Sequence, residues 1–246
     1  MVAPPDNDVL WARGLHHSYG GSPALAGISL GVREGEILAV TGPRGSGKTT
    51  LLRCLSAQLA PSEGEVWFNS SPVHTLSARG RERLRLDRFG WIDTQPQLVA
   101  ELTAWENAAL PLLLRGEGHR TARHTAAEWL DRLDVGGCAR RRPDRLDQSQ
   151  RQRVAVARAL ASAPHVLFAD EPTAPLHRTD GTQVLRTLTA AARSHQVTVV
   201  LATHDPDVAT LADRTFALVD GRRAGAASAA TDAPDAESRA ACSLSV

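Results

Sequence analysis

Gly42-Pro43-Arg44-Gly45-Ser46-Gly47-Lys48-Thr49, followed by Thr50, is the stretch on which the reading of this chain turns. Its spacing, G-x-x-x-x-G-K-[ST], is that of the phosphate-cradling P-loop. The glycines let backbone N–H groups converge on phosphate oxygens, and the helix that follows adds the positive end of its dipole. Lys48 is the only lysine among 246 residues, so every other member of the 28 Lys and Arg is arginine. A compact ammonium fits between the β- and γ-phosphates of a nucleotide, where a planar guanidinium fork is too large. Thr49 would contribute a hydroxyl to Mg²⁺.

The flanks supply the context this loop needs. Glu36 to Thr41 is an apolar run suited to a buried strand, and Lys48 to Leu59 spaces its leucines like a helix face. Short β-like runs at Val9–Leu15, Ala26–Val32 and Gly64–Asn69 predict a small antiparallel sheet beside the P-loop strand. Helical patterns follow at Thr103–Leu114 and Thr121–Leu133. The strand-helix alternation then resumes: a strand at Val166–Ala169, a helix from about Asp180 to Ser194, a strand at Val197–Ala202, a helix at Asp205–Ala212 and a strand at Thr215–Val219. This pattern is α/β with a helical insertion of roughly 50 residues.

Two further strand ends carry candidate chemistry. Val166-Leu167-Phe168-Ala169-Asp170-Glu171 is an apolar strand ending in two carboxylates, expected to lie directly beside the P-loop strand. Asp170 would hold Mg²⁺, directly or through water. Glu171 would face the γ-phosphate and polarise an attacking water as general base. Thr203-His204-Asp205 closes another apolar strand, which puts His204 at the carboxyl edge of the sheet, where ligands of open α/β folds bind.

Composition narrows the function further. A net charge of +1 and a pI near 7.9 do not favour wholesale binding to nucleic acid, although arginines cluster at Arg79–Arg88 and Arg140–Arg145. These clusters read as solvated helix faces. Cys54, Cys138 and Cys242 are far apart, without metal-ligand spacing, as suits free thiols in a reducing compartment. Met1–Val9 lacks the basic start and apolar stretch of a signal peptide. The longest apolar runs, such as Ala108–Leu114, are too short to span a bilayer, which predicts a chain soluble by itself. Residues 1–8 are expected to be flexible and 224–246 disordered, since that end is small, polar and without periodicity.

Taken in order, these motifs resemble the ATP-binding subunit of ABC transporters over about residues 9 to 223. Leu102-Thr103-Ala104-Trp105-Glu106-Asn107 and Pro111-Leu112-Leu113-Leu114-Arg115-Gly116 are most similar to the branch of lipoprotein-release, macrolide-efflux and cell-division ATPases. Asp170-Glu171-Pro172-Thr173 matches the family's second motif residue for residue, and the run from Gln150 to Leu160 looks like the helix after its signature. The resemblance implies a P-loop NTPase (RecA-like) core with a small antiparallel β subdomain and an inserted α-helical subdomain at about residues 95–148. It implies that Tyr19 stacks on adenine and that His204 contacts the γ-phosphate. It further implies ATP and Mg²⁺ as ligands, separate transmembrane permease subunits as partners, a homodimer or heterodimer of ATPase subunits, and a place at the cytoplasmic face of the membrane. Leu98, Val99 and Trp105 are candidate contacts for the membrane partner.

Three positions depart from the family pattern. The signature, usually Leu-Ser-Gly-Gly-Gln, reads Leu146-Asp147-Gln148-Ser149-Gln150, where in the family it caps the ATP held by the opposite subunit. Asp147 removes a donor and adds a negative charge, which at about 4 Å from a phosphate charge costs roughly 4 kcal/mol at an effective dielectric of 20. It would spare that cost by turning away to an arginine such as Arg145. Thr94 stands where the family places a glutamine that senses Mg²⁺, with Gln95 adjacent. His177 stands where the family supplies an aspartate to the opposite subunit. The expectation is retained ATP binding with Glu171 able to catalyse, slow turnover in a homodimer, and a site completed by a partner signature in a heterodimer. A nucleotide-gated clamp with little turnover is the alternative.

Overall fold

The structure is a computed structural model that describes residues 8–225. Strands β1 (Asp8–Tyr19), β2 (Ser22–Arg33), β4 (Glu63–Phe68) and β5 (Ser71–Pro72) form an antiparallel sheet in the order β2-β1-β4-β5. A second sheet has the order β10-β9-β3-β8-β7-β6. It is built from β3 (Ile37–Thr41), β6 (Phe89–Ile92), β7 (Val166–Asp170), β8 (Thr198–Thr203), β9 (Arg214–Val219) and β10 (Arg222–Arg223). All its pairings are parallel except that of β10 with β9. Helices α1 (Lys48–Leu55), α2 (Ala78–Arg88), α3 (Ala104–Leu114), α4 (His119–Arg132), α5 (Gln148–Ala161), α6 (Arg178–Ser194) and α7 (Pro206–Ala209) cover its faces.

Every residue of β7 and β8 is buried. That is the condition under which strands become continuous apolar runs rather than alternating ones. One face of the parallel sheet packs through Leu38, Val40, Phe168 and Val200 onto α1 and the antiparallel sheet. The other packs through Ile37, Leu167, Val199 and Leu201 into a cluster that includes α3, α4, α5 and α6. Phe89 stacks edge-on with both Phe68 and Phe168, at 5.0 and 5.3 Å between ring centroids, and so joins the two sheets.

The α/β architecture with an antiparallel sheet at its side agrees with the sequence reading, and the structure corrects several details. β7 does not lie beside β3, because β8 runs between them and pairs with both. Strand order is set by crossovers, which the strand sequences themselves do not encode. β1 and β2 are longer than the apolar runs that announced them, since they continue into a Gly20-Gly21 turn with φ of 54° and 87°, the backbone sign a tight hairpin demands. α1 stops at Leu55 instead of Leu59. Ala57 takes a left-handed φ of 60°, while Gln58 N–H and Ala57 N–H return to the carbonyls of Arg53 and Cys54, a Schellman closure. α7 is also shorter than expected, ending at Ala209. β6 carries no pattern that the sequence reading detected: it is four residues long and includes Gly90, whose missing side chain admits Leu167, Pro164 and the Ala159 carbonyl. Of the expected tail, only Ala224 and Gly225 fall within the described residues. Cys242 and all but Asp8 of the expected flexible N-terminus lie outside them.

α3 begins with a capping box between Thr103 and Glu106. The same turn is held by Asn107, which is wholly buried and accepts from Val99 N–H at 2.8 Å. Its amide also donates to the carbonyls of Val99, Leu102 and Thr103. Arg115, at the other end of α3, donates to the carbonyls of Leu86, Asp87 and Ser162, tying α2 and α5 to it. Asn107→Ala strands Val99 N–H and the neighbouring carbonyls. We expect it to lower stability by about 2–4 kcal/mol, each buried group left unpaired costing about 1–3, read as a drop in the urea midpoint with unchanged slope.

Candidate functional site

Thr41, Asp170 and Thr203 end three adjacent parallel strands at the carboxyl edge of the sheet. The P-loop leaves β3 at this edge and turns into α1. Gly42 adopts φ 148°, and a Cβ there would fall on the Leu218 carbonyl and the Ser46 hydroxyl. Gly47, at φ 100°, would strike the Ala24 carbonyl. These two positions therefore demand glycine on steric grounds alone. The loop folds around Lys48, whose side chain is only 7% exposed and donates to the carbonyls of Gly42 and Pro43 at 2.9 and 2.8 Å.

Both carboxylates lie at this edge, Asp170 as the last residue of β7 and Glu171 directly after it. Glu171 follows β7 with a left-handed φ of 47°, a conformation costly for a non-glycine residue, and its N–H is anchored on the Ala202 carbonyl at 2.9 Å. Its Oε1 lies 3.9 Å from Lys48 Nζ and 2.8 Å from His204 Nδ1. Glu171, Lys48 and His204 thus form one cluster, drawn from three different segments of the chain. A strained backbone at a residue so placed fits a functional role.

Asp170 is buried, and burial pushes its carboxyl up from the usual range, with the Thr49 hydroxyl partly opposing the shift. Its Oδ2 accepts from Thr49 Oγ1 at 2.8 Å, while its Oδ1 is buried without a partner. A hydroxyl beside an unpartnered buried carboxylate oxygen is a donor set suited to a small hard cation. Thr49 and Asp170 would hold Mg²⁺, with phosphate oxygens and water completing the shell. Among the described residues no group of three or more His, Cys, Asp and Glu forms a metal cage.

Tyr19 stands at the exposed end of β1, edge-on to His17 with ring centroids 4.8 Å apart, leaving it presented to solvent. Thr94 Oγ1 donates to the Asp170 carbonyl at 3.1 Å. Position 94 therefore does face the floor of the site, and Gln95 points to solvent. His177 is exposed at the start of α6 and makes no side-chain cap there. Leu98 and Trp105 pack against the core, Trp105 with Arg123 over its ring at 5.6 Å. Of the three candidate partner contacts only Val99 is exposed.

Asp147 neither pairs with Arg145 nor stands free. Its carboxylate accepts from Gln150 N–H at 2.8 Å, while Gln150 Oε1 accepts from Asp147 N–H at 3.2 Å. This is a capping box at the start of α5, and Arg145 turns to Asp144. The sequence Asp147-Gln148-Ser149-Gln150 carried this signal, an acidic cap with glutamine three residues on, which the charge reading overlooked. Also overlooked was Gln152, fully buried on α5. Its Nε2 bridges the carbonyls of Asp93 and Pro172 at 3.2 and 2.9 Å, fixing the segments on either side of Glu171 and Thr94. Nothing in its local sequence distinguishes it from the polar residues around it.

Because the carboxyl of Asp170 is raised in the folded state, ionising it opposes folding at neutral pH. That opposition vanishes below the carboxylate range, where both states are protonated. Asp170→Asn should therefore raise Tm at pH 7, each kcal/mol recovered giving about 2–4 °C in a domain of this size. The gain should shrink as pH falls and be accompanied by loss of Mg²⁺-dependent nucleotide binding. Thermal scans across pH with and without nucleotide check all three.

The sequence profile of the family described as ABC transporter matches residues 25–174. The chain is 38% identical over 217 residues to the lipoprotein-releasing system ATP-binding protein LolD 2 of Caulobacter vibrioides, covering 87% of this chain and 95% of that one. It is 39% identical to the macrolide export ATP-binding/permease protein MacB of Marinobacter nauticus, over 81% of this chain and 31% of the longer relative. The solved dimeric structure of the post-hydrolysis state of the ATP-binding cassette MJ0796, bound to ADP and Pi, superposes with a TM-score of 0.82 at 32% identity. That match covers 87% of this chain and 97% of that one. With its P-loop, carboxylate pair and histidine assembled on such a fold, the chain belongs to the ABC transporter family, on the side of the lipoprotein-release and macrolide-export cassettes.

Proposed function

We propose that this chain binds ATP with Mg²⁺, hydrolyses it at Glu171 and passes the resulting motion to separate transmembrane subunits. The observation that carries the reading is the convergence of Lys48, Glu171 and His204 beside the Thr49–Asp170 pair. The P-loop N–H groups and Lys48 would hold the β- and γ-phosphates, and Tyr19 would stack on the base. Thr49 and Asp170 would hold Mg²⁺, which would supply positive charge to offset that of the phosphates. Glu171 takes a proton from the attacking water as the water oxygen bonds to the γ-phosphorus. The bond from that phosphorus to the bridging oxygen breaks, and ADP leaves with the electron pair. His204, with Nδ1–H directed at Glu171, orients the carboxylate and keeps its second nitrogen for the phosphate. A role for these residues in binding and catalysis is further supported by the relatives, named as ATP-binding proteins, and by the neighbour that holds ADP and Pi.

Two copies would pair, as the solved neighbour does. The partner in the membrane would be a permease like the one fused into the macrolide-export relative. A cleft of about 570 Å³ between α2, β6 and α3, lined by Trp91, Leu110, Pro111 and Leu114 with Arg85 and Arg158 beside them, offers it a seat. Among the described residues no helix is long and apolar enough to cross a membrane. The self-capped Asp147 favours a second reading, a nucleotide-gated clamp, because the start of α5 already holds a carboxylate.

Glu171→Gln decides between them. For a motor, removing the general base should lower steady-state turnover by about 10²- to 10⁴-fold while ATP binding persists. Lys48→Ala should abolish binding itself. Tight binding by the parent chain without turnover, in the presence of its membrane subunits, would establish the clamp and overturn the motor.

A further inference from the structure

Arg44 is a charged residue of the P-loop whose role the preceding site leaves unstated. It lies two positions after Gly42, at the exposed tip of the loop, just before Gly45 with its φ of 80°. Its side chain lines a cleft of about 580 Å³ shared with Glu171, His204 and His177. The acids of that cleft are already engaged. Glu171 pairs with Lys48 and His204, Arg178 takes Asp207, and Asp205 caps α7 through Asp207 N–H at 2.9 Å. Among the described residues Arg44 has neither an ion-pair nor a hydrogen-bond partner. An exposed arginine of the phosphate-binding loop thus borders the same cleft as the general base and, among the described residues, is not neutralised by a carboxylate. Such a group is complementary to an anion arriving there.

We propose that Arg44 is a further catalytic residue, an arginine supplied in cis whose guanidinium contacts the terminal phosphate on the Glu171–His204 side. This rests on the ATP-hydrolysing reading above. Lys48 reaches the phosphates from beneath the loop as a buried point charge. Arg44 approaches from the open cleft with a planar fork suited to two phosphate oxygens at once. Charge that spreads over the equatorial oxygens as the γ-phosphoryl group transfers would fall on this fork, which is how arginines placed beside phosphoryl groups accelerate hydrolysis. ADP lacks the group that Arg44 touches, so the residue also favours ATP over ADP.

The test compares the full chain with Arg44→Ser and Arg44→Lys. Dissociation constants for ATP and ADP are measured with Mg²⁺ present, together with steady-state kcat and the monomer–dimer equilibrium by sedimentation. Arg44→Ser should cut the preference for ATP over ADP about tenfold, the scale of a charge-assisted contact, and lower kcat by about 10²- to 10³-fold. Arg44→Lys should recover part of the binding preference and little of kcat, since it restores charge without the fork. An unchanged affinity ratio and kcat in Arg44→Ser would overturn the proposal. So would an altered dimer equilibrium with an unchanged affinity ratio, which would make Arg44 an interface residue. If the parent chain fails to bind ATP, or Lys48→Ala binds it as well as the parent, the nucleotide reading itself falls and the proposal with it. That result is distinct from either of the others.

Discussion

The hydrogen bond from Thr49 to Asp170 joins the first turn of α1 to the end of β7, across the intervening strand β8. It is the contact through which the phosphate loop and the carboxylate strand become one site. α1 is positioned by Leu51, Leu52 and Leu55 buried on the sheet, and β7 by its pairing with β8 and β6 on either side. With both fixed, Glu171 is carried to within reach of Lys48, and the end of β8 delivers His204 to the same carboxylate. The buried charges are tolerated because each is paired or suited to a cation, the alternative being a desolvation cost of several kcal/mol for each ion.

Much of this was legible in the chain itself. The P-loop, the Asp170-Glu171 pair and His204 each end an apolar run, and strands buried on both faces announce themselves as such runs. What stayed hidden has physical causes. β6 is short and gains its burial from Phe89 and Trp91 meeting Phe168, a tertiary contact without local periodicity. The placement of β8 between β3 and β7 depends on how helices cross the sheet, and Gln152 looks like any other polar residue until its amide is seen bridging two carbonyls. Asp147 shows the opposite failure. Its charge was read, and its helix-capping geometry, equally present in the four residues, was not.

That capping box changes what the start of α5 is. A helix terminus with free N–H groups attracts anions, and here one of those groups is already taken by an anion belonging to the helix. The segment is therefore stable without a ligand. Position 94 tells a related story: Thr94 braces the Asp170 carbonyl in place of a longer side chain that could extend toward the cation. Both departures exchange side-chain reach for internal rigidity, and they leave the P-loop and the Asp170-Glu171 pair as the parts of the site that keep the family pattern.

With Lys48 drawn inside the P-loop, the side-chain positive charge on the outside of the molecule comes from guanidinium groups. An ammonium begins to discharge near pH 10, whereas a guanidinium holds its proton past pH 12. The exterior of the cassette thus keeps its cationic pattern through alkaline conditions in which a lysine-rich surface would fade. It also offers no side-chain amine to acetylating enzymes or to amine-directed reagents. The one side-chain amine that could respond to either is enclosed beneath the phosphate loop.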